Sequence, residues 1–193
     1  DMYLMSDPSR VLSDFGDTSL LELIVKNGVK EASNSLPYNI KNNPTAVNET
    51  IENNMRKAII EQMPTNPAYF EKMSALLLEL VRLRKDGTLK YENLLKQYQE
   101  LAIKLQPDTK KAYPIAINTK PRQALYDNLW QDEKLAIAMD NYIREEKDDD
   151  WRKMEIKKKK VKRAIRRVFE QFNRDDDAKI NEIFTLVVNQ HEY

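Results

Sequence analysis

Cysteine is absent from this chain, and only three of its 193 residues are glycine. Without cysteine there are no disulfides and no thiolate metal ligands, and such a chain is expected inside the cell, in the cytoplasm. Tight turns, β-bulges and phosphate-binding loops depend on glycine, so its scarcity argues against a sheet-rich fold and a glycine-rich nucleotide loop. No apolar run approaches the roughly 18 residues of a membrane span. We therefore expect a soluble helical protein with no membrane partner.

Residues suited to catalysis are also few. The single histidine, His191, stands almost at the end of the sequence, where a solvated side chain is more typical than a general base. Two runs of three aspartates, 148–150 and 175–177, are candidates for binding a hard cation. Both runs stand where helices are expected to begin, and carboxylates at that position complement the helix dipole. We therefore predict no catalytic, metal-binding or cofactor-binding residues in this chain.

Apolar residues recur at helical spacing through most of the sequence. Two helix starts, at Asn43–Pro44 and Asn66–Pro67, combine an N-cap residue with proline at the first helical position. The interval between Leu36 and Pro44 is predicted to be extended, because proline disfavours helix in the residue before it. Aromatic residues, including Trp130, lie mainly on the apolar stripes and are assigned to the core. The predicted helices are 19–33 (capped by Asp17 or Thr18), 44–63, 68–85, 91–105, 122–130, 132–147, a basic helix after 151, and 179–190.

These patterns predict an all-α fold, either an irregular multi-helix bundle or two sub-bundles joined by a Pro-containing loop. Residues 1–16 are predicted to be a linker from a preceding domain, and residues 17–106 a helical sub-bundle. Residues 107–121 contain three prolines and are predicted to be the connector. Residues 122–193 are predicted to form a second sub-bundle that includes the basic helix.

The stretch "DDDWRKMEIKKKKVKRAIRRVFEQF", residues 148–172, concentrates the positive charge. Residues 151–174 hold eleven basic and two acidic residues, a net +9 in a chain whose formal net charge is +1. On a helical wheel, Met154, Val161, Ile165, Val168 and Phe172 share one side. A polyanion would be attracted to the opposite side, unless acidic helices or the two aspartate runs balance it as a solvated face. The candidate phosphate or partner contacts on that side are Arg152, Lys159, Lys160, Arg163, Arg166 and Arg167.

Six pieces of the sequence form an ordered set: "IENNMRKAIIEQ" (51–62), "NPAYFEKMSALLLELV" (66–81), "YP" (113–114), "ALYDNL" (124–129), "DDWR" (149–152) and "NEIFTLVVNQHEY" (181–193). Together they resemble the C-terminal region of the R subunit of type I restriction enzymes, over about residues 17–193. In that family the R subunit is the DNA-translocating motor and the nuclease, and its catalytic domains precede the helical C-terminal region.

The resemblance implies a noncatalytic domain within a larger enzyme, a type I site-specific deoxyribonuclease with ATPase activity. It implies ATP and Mg as cofactors of the parent enzyme, with none bound by this fragment. The implied partners are the methyltransferase and specificity subunits, together with double-stranded DNA contacted without sequence preference. Two alternatives remain open: a free-standing basic helical domain that binds nucleic acid directly, and a helical adaptor for an unrelated protein.

Overall fold

The computed structural model describes residues 19–106 and 113–193, and within them it contains nine α-helices and no strand. The predicted all-α fold is confirmed. No helix in these two ranges combines the length and apolar character needed to cross a membrane. The predicted linker, 1–16, and the first part of the predicted connector, 107–112, lie outside the described residues. The helices are α1 (Leu20–Asn34), α2 (Tyr38–Lys41), α3 (Pro44–Gln62), α4 (Pro67–Lys85), α5 (Tyr91–Leu105), α6 (Lys120–Asn128), α7 (Glu133–Glu146), α8 (Glu155–Gln171) and α9 (Asp177–Val188).

The described chain divides into two compact units. The first unit consists of residues 19–61 and 72–106, and the second of residues 62–71 and 113–193. The division falls after Glu61, near the end of α3, and after Glu71, inside α4. Residues 62–71 therefore group with the second unit, whereas the predicted sub-bundles divide the chain only once, at 107–121.

Both predicted Asn-Pro helix starts are present. The Asn43 side-chain oxygen accepts hydrogen bonds from the backbone N–H groups of Thr45 and Ala46, at 3.0 and 3.3 Å. The Asn66 side-chain oxygen accepts one from the N–H of Tyr69, at 3.3 Å. Each asparagine thereby satisfies N–H groups that the first helical turn leaves without a partner, so that the sequence itself sets where α3 and α4 begin.

Two local predictions in the first unit are wrong. The N-cap of α1 is Ser19, whose hydroxyl accepts a hydrogen bond from the N–H of Glu22 at 3.3 Å. The predicted caps, Asp17 and Thr18, lie outside the described residues. The predicted extended interval contains α2, which begins directly after Pro37. Proline restricts the residue before it but fits the first turn of a helix, so the residues after it were free to be helical.

The core of the first unit is built from the predicted stripes. Val47, Ile51, Met55 and Ile59 of α3 are all buried, and α5 packs against α1. Gly28 interrupts α1 with a φ of 83° and a ψ of 165°, a conformation that residues with a Cβ rarely adopt. The apolar stripe of α3 ends earlier than predicted, because α3 stops at Gln62 and Met63 begins a short 3-10 turn.

A buried ion pair lies within the core of the first unit. Glu52, 4% exposed, accepts hydrogen bonds from Arg84 Nε at 2.7 Å and Arg84 Nη2 at 3.0 Å. The hydroxyl of buried Tyr98 donates to the same carboxylate. Burial, followed by this hydrogen bond, raises the pKa of Tyr98 above its ordinary value.

The second unit has a continuous apolar core in which α7 packs on α6 and α8, and α8 packs on α9. Its fully enclosed side chains come from all four helices and from the 3-10 turn that precedes α8. They include Leu125, Leu129, Leu135, Met139, Ile143, Trp151, Val161, Ile165, Val168, Phe169, Ile180 and Val187.

Two residues of the second unit that the sequence assigns to packing are exposed instead. Met154 is 50% exposed, because α8 begins only at Glu155 and Met154 precedes its first turn. Trp130 is 52% exposed, because α6 ends at Asn128 and the chain then turns with positive φ values of 55° and 59° at Trp130 and Gln131. The Trp130 ring lies against the guanidinium of Arg174, whose Cζ is 4.5 Å from the ring centroid.

The basic face of α8 as a candidate docking surface

Packing fixes which side of α8 faces solvent. Val161, Ala164, Ile165, Val168 and Phe169 are buried against α7 and α9. The stripe follows the i, i+3, i+4, i+7 pattern of an amphipathic helix, so the basic residues between these positions project outward. The helix thus presents a cationic face because its other face is held in the core.

Arg152 does not belong to that face. It lies in the 3-10 turn at Trp151–Lys153, and its Nε donates to the Val188 carbonyl at 2.9 Å. Its two Nη atoms donate to main-chain oxygens of Tyr193, at 2.6 Å, and Gln190. Its guanidinium also lies 4.7 Å from the centroid of the Trp151 ring. Arg152 therefore holds residues 188–193 against the 3-10 turn that precedes α8, within the second unit.

Lys160 and Arg167 face carboxylates that precede α8. Lys160 Nζ lies 3.3 Å from Asp148 Oδ1 and 3.8 Å from Glu146 Oε2. Arg167 Nη1 lies 3.7 Å from the other Glu146 oxygen. The first aspartate run thus balances part of the basic helix, as expected for a solvated face.

Arg166 pairs with the second aspartate run. Its Nη2 lies 2.6 Å from Asp177 Oδ1, at the start of α9. The two side chains are 43% and 73% exposed. Exposed pairs of this kind contribute little stability, because water and salt screen them and both side chains lose freedom.

Lys159 and Arg163 differ from the other candidates. Both are exposed, and neither makes an ion pair or a hydrogen bond with any residue in 19–106 or 113–193. They lie four residues apart on one side of α8, where two like charges repel each other. Together with their neighbours they border a shallow groove of about 400 Å³, lined by Ile156, Lys159, Lys162, Arg163 and Arg166.

Two lining residues of this groove are absent from the predicted set. Lys162 Nζ lies 5.9 Å from the centroid of the Phe184 ring on α9. Ile156 is 78% exposed, although it is a large apolar side chain. Its position was visible in the sequence: Ile156 precedes the core residue Ile165 by nine positions, and at about 100° per residue it falls on the opposite side of the helix.

Residues from three of the sequence pieces that carry the resemblance meet in the second unit. Asp127 Oδ2 accepts hydrogen bonds from Asn66 Nδ2 at 2.7 Å and from the Tyr113 hydroxyl at 2.6 Å. Asn128 Nδ2 donates to the Asn66 side-chain oxygen at 2.8 Å, and Asn128 accepts from the N–H of Ala68 at 3.2 Å. These side chains join residues 62–71 to α6 and are occupied in maintaining the fold.

No group of three or more histidine, aspartate or glutamate side chains in the described ranges is arranged to hold a metal ion. Comparison with protein-family models, with curated proteins and with solved structures finds no match to this chain. The resemblance to the R subunit therefore stays a prediction from the sequence pieces quoted above.

Proposed function

We propose that this chain is a noncatalytic helical module of a type I restriction R subunit, and that it helps to join the motor subunit to the methyltransferase and specificity subunits. The resemblance of its ordered sequence pieces to that region supports this assignment. The proposed contact surface is the exposed cationic face of α8. Two further features are consistent with the proposal: polar residues of the resembling pieces are engaged in the fold, and α8 carries cations that the fold leaves unpaired.

The observation that carries the proposed surface is the pair Lys159 and Arg163. Every other basic residue singled out on the sequence has an anionic or carbonyl partner within the second unit. Two cations without an ion pair on one helix side repel each other. The Glu155 carboxylate, which attracts Lys159, is already paired with Lys158. An anionic surface docked there would neutralise both, and complementary charge also speeds and orients association.

Duplex DNA is the second candidate for this surface. The net charge of +9 over residues 151–174 favours it, because phosphates attract concentrated positive charge. Such contact would be non-specific, since separate Lys and Arg side chains supply charge without a fixed geometry for reading bases.

The test replaces Lys159 and Arg163 together by Gln in the 193-residue chain. The matched control is Lys26→Gln with Lys30→Gln, which removes the same charge from exposed positions on α1. Each variant is mixed with a purified methyltransferase–specificity complex of the same restriction system and analysed by size-exclusion chromatography. We expect the α8 variant to lose co-elution and the α1 variant to keep it. Unchanged co-elution of the α8 variant would contradict docking through this face.

A second experiment measures the affinity of the wild-type chain and of both variants for a random 20-base-pair duplex at several salt concentrations. If both side chains contact phosphates, the slope of log affinity against log salt should fall by about 1.8, at about 0.9 for each contact. The α1 variant should retain the wild-type slope. A reduced slope with normal co-elution would assign the α8 face to DNA instead of to the protein partner.

A further inference from the structure

We propose that the groove on α8 accepts an acidic amphipathic helix of a partner protein. An apolar side chain of that helix would pack on Ile156, and its carboxylates would pair with Lys159 and Arg163. This inference rests on the proposed function in taking α8 as a docking surface. It adds the chemistry of the occupant, which the proposed function leaves open.

The exposed apolar residues at the start of α8 favour protein over DNA. Ile156 is 78% exposed and Met154 beside it is 50% exposed, in a stretch whose other exposed side chains are charged. A sugar-phosphate backbone offers these side chains little apolar surface. A protein partner can bury them, and burial of apolar surface stabilises a complex in proportion to its area. An apolar contact bordered by charged residues is the usual anatomy of a protein interface.

The arrangement of the groove suits a helix. Ile156, Lys159, Arg163 and Arg166 follow one another at intervals of three and four residues, so they form one stripe along α8. Ten residues separate its ends, which at 1.5 Å per residue gives a length of about 15 Å. A partner helix of about three turns matches that length, with an apolar residue at one end and carboxylates at the same intervals.

The side chains that now contact the basic residues of the groove can be displaced by such a helix. Asp177 is 73% exposed in its pair with Arg166, so exchanging it for a carboxylate of the partner costs little. Lys162 has the Phe184 ring as its neighbour and can bring its charge to the rim of the groove. Four cations can therefore face one acidic helix, and the complex should weaken with added salt.

The experiment uses two fluorescein-labelled synthetic peptides of about sixteen residues. Each peptide carries one Leu and several Glu residues at intervals of three and four. The Leu stands before the Glu residues in one peptide and after them in the other, because a partner helix can lie along α8 in either direction. Companion peptides have Gln in place of Leu. Fluorescence anisotropy measures binding of each peptide, and of a random 20-base-pair duplex, to the 193-residue chain.

The decisive variant is Ile156→Gln, and its matched control is Ile115→Gln. Ile115 lies in the same unit and is 97% exposed, so both replacements change an exposed isoleucine. We expect Ile156→Gln to weaken binding of one Leu peptide about fivefold to tenfold and to leave DNA binding unchanged. Ile115→Gln should change neither. The Gln peptides should bind wild-type protein as weakly as the Leu peptide binds Ile156→Gln.

Two results would overturn the inference. One is that neither Leu peptide binds the wild-type chain. The other is that Ile156→Gln binds the peptides like wild type while the Lys159 and Arg163 double variant weakens peptide and duplex alike, which would make the face a surface for any polyanion. Neither result depends on co-elution with the methyltransferase complex. Failure of the acidic-helix inference is thereby separated from failure of the proposed function.

Discussion

Replacement of Asp140 by Asn should be the most informative test of what stabilises the second unit. Asp140 is 1% exposed and lies between two arginines. Its Oδ2 accepts from Arg122 Nε at 2.7 Å, and its Oδ1 accepts from Arg144 Nε at 2.9 Å. The Tyr193 hydroxyl donates to Oδ1 at 2.8 Å. One buried carboxylate therefore holds together α6, α7 and the end of the described chain.

The expected loss of stability follows from the two arginine charges that the replacement leaves without their carboxylate. Removing one partner of a buried ion pair typically costs about 3 to 5 kcal/mol, because the other charge stays uncompensated. Arg122 and Arg144 are 23% and 38% exposed, so water recovers part of that loss. The new amide N–H₂ also faces N–H donors, where the carboxylate presented acceptors. We expect Asp140→Asn to lower the free energy of unfolding of the second unit by about 3 kcal/mol.

The measurement is urea unfolding followed by tryptophan fluorescence. Both tryptophans, Trp130 and Trp151, lie in the second unit, so fluorescence reports on that unit alone. Asp148→Asn is the matched control: Asp148 is 46% exposed in its pair with Lys160, and its replacement should cost less than about 1 kcal/mol. If Asp140→Asn destabilised the unit no more than Asp148→Asn, the buried network would not be a source of stability.

Glu52→Gln should destabilise the first unit by about 3 kcal/mol, because Arg84 loses its buried counter-charge; circular dichroism should report this change while tryptophan fluorescence stays native. Leu77→Asp and Ile165→Asp should each unfold the unit that contains it, since both positions are at most 2% exposed and an unpaired carboxylate there costs several kcal/mol. A helical, cooperatively unfolding Ile165→Asp variant would refute the assignment of the α8 core stripe. Burial and the adjacent carboxylate raise the pKa of Tyr193 above its ordinary value near 10, so its contribution to stability is present below about pH 10 and lost above it. The urea concentration at the unfolding midpoint of the second unit should therefore decrease as the pH is raised from 10 to 11.5. In Tyr193→Phe this decrease should be smaller.

Local features of this fold could be predicted because they depend on residues close in sequence. Asn43 and Asn66 cap α3 and α4 through their own side chains, within three residues of each cap. Gly87, with a φ of 64°, follows the end of α4 because glycine adopts that conformation at no steric cost. The stripe of α8 from Val161 to Val168 follows from the helical period alone.

Long-range contacts could not be predicted in this way. The carbonyls that Arg152 binds lie 36 to 41 positions further along the chain, so the sequence shows its charge but not its partners. Trp130 carries an apolar ring, yet it is exposed because the chain turns there with two positive φ values. Glycine usually indicates such a turn in a sequence, and this turn contains none. Ile156 is the opposite case, because the helical period alone places it on the basic side, nine positions before Ile165.

Some charged residues of the second unit stabilise its fold, whereas others make no ion pair and are free to bind. This difference is the strongest argument that the charge of α8 has a function. Asp140 and Arg152 are engaged with the fold, and their loss should cost stability. Lys159 and Arg163 lie four residues apart, repel each other and make no ion pair or hydrogen bond within the described ranges. Replacing both by Gln removes this repulsion and also the attraction of Lys159 to Glu155, so the free energy of unfolding should change by less than about 0.5 kcal/mol. A double variant that is at least as stable yet fails to bind would show that these two cations serve binding and not the stability of α8.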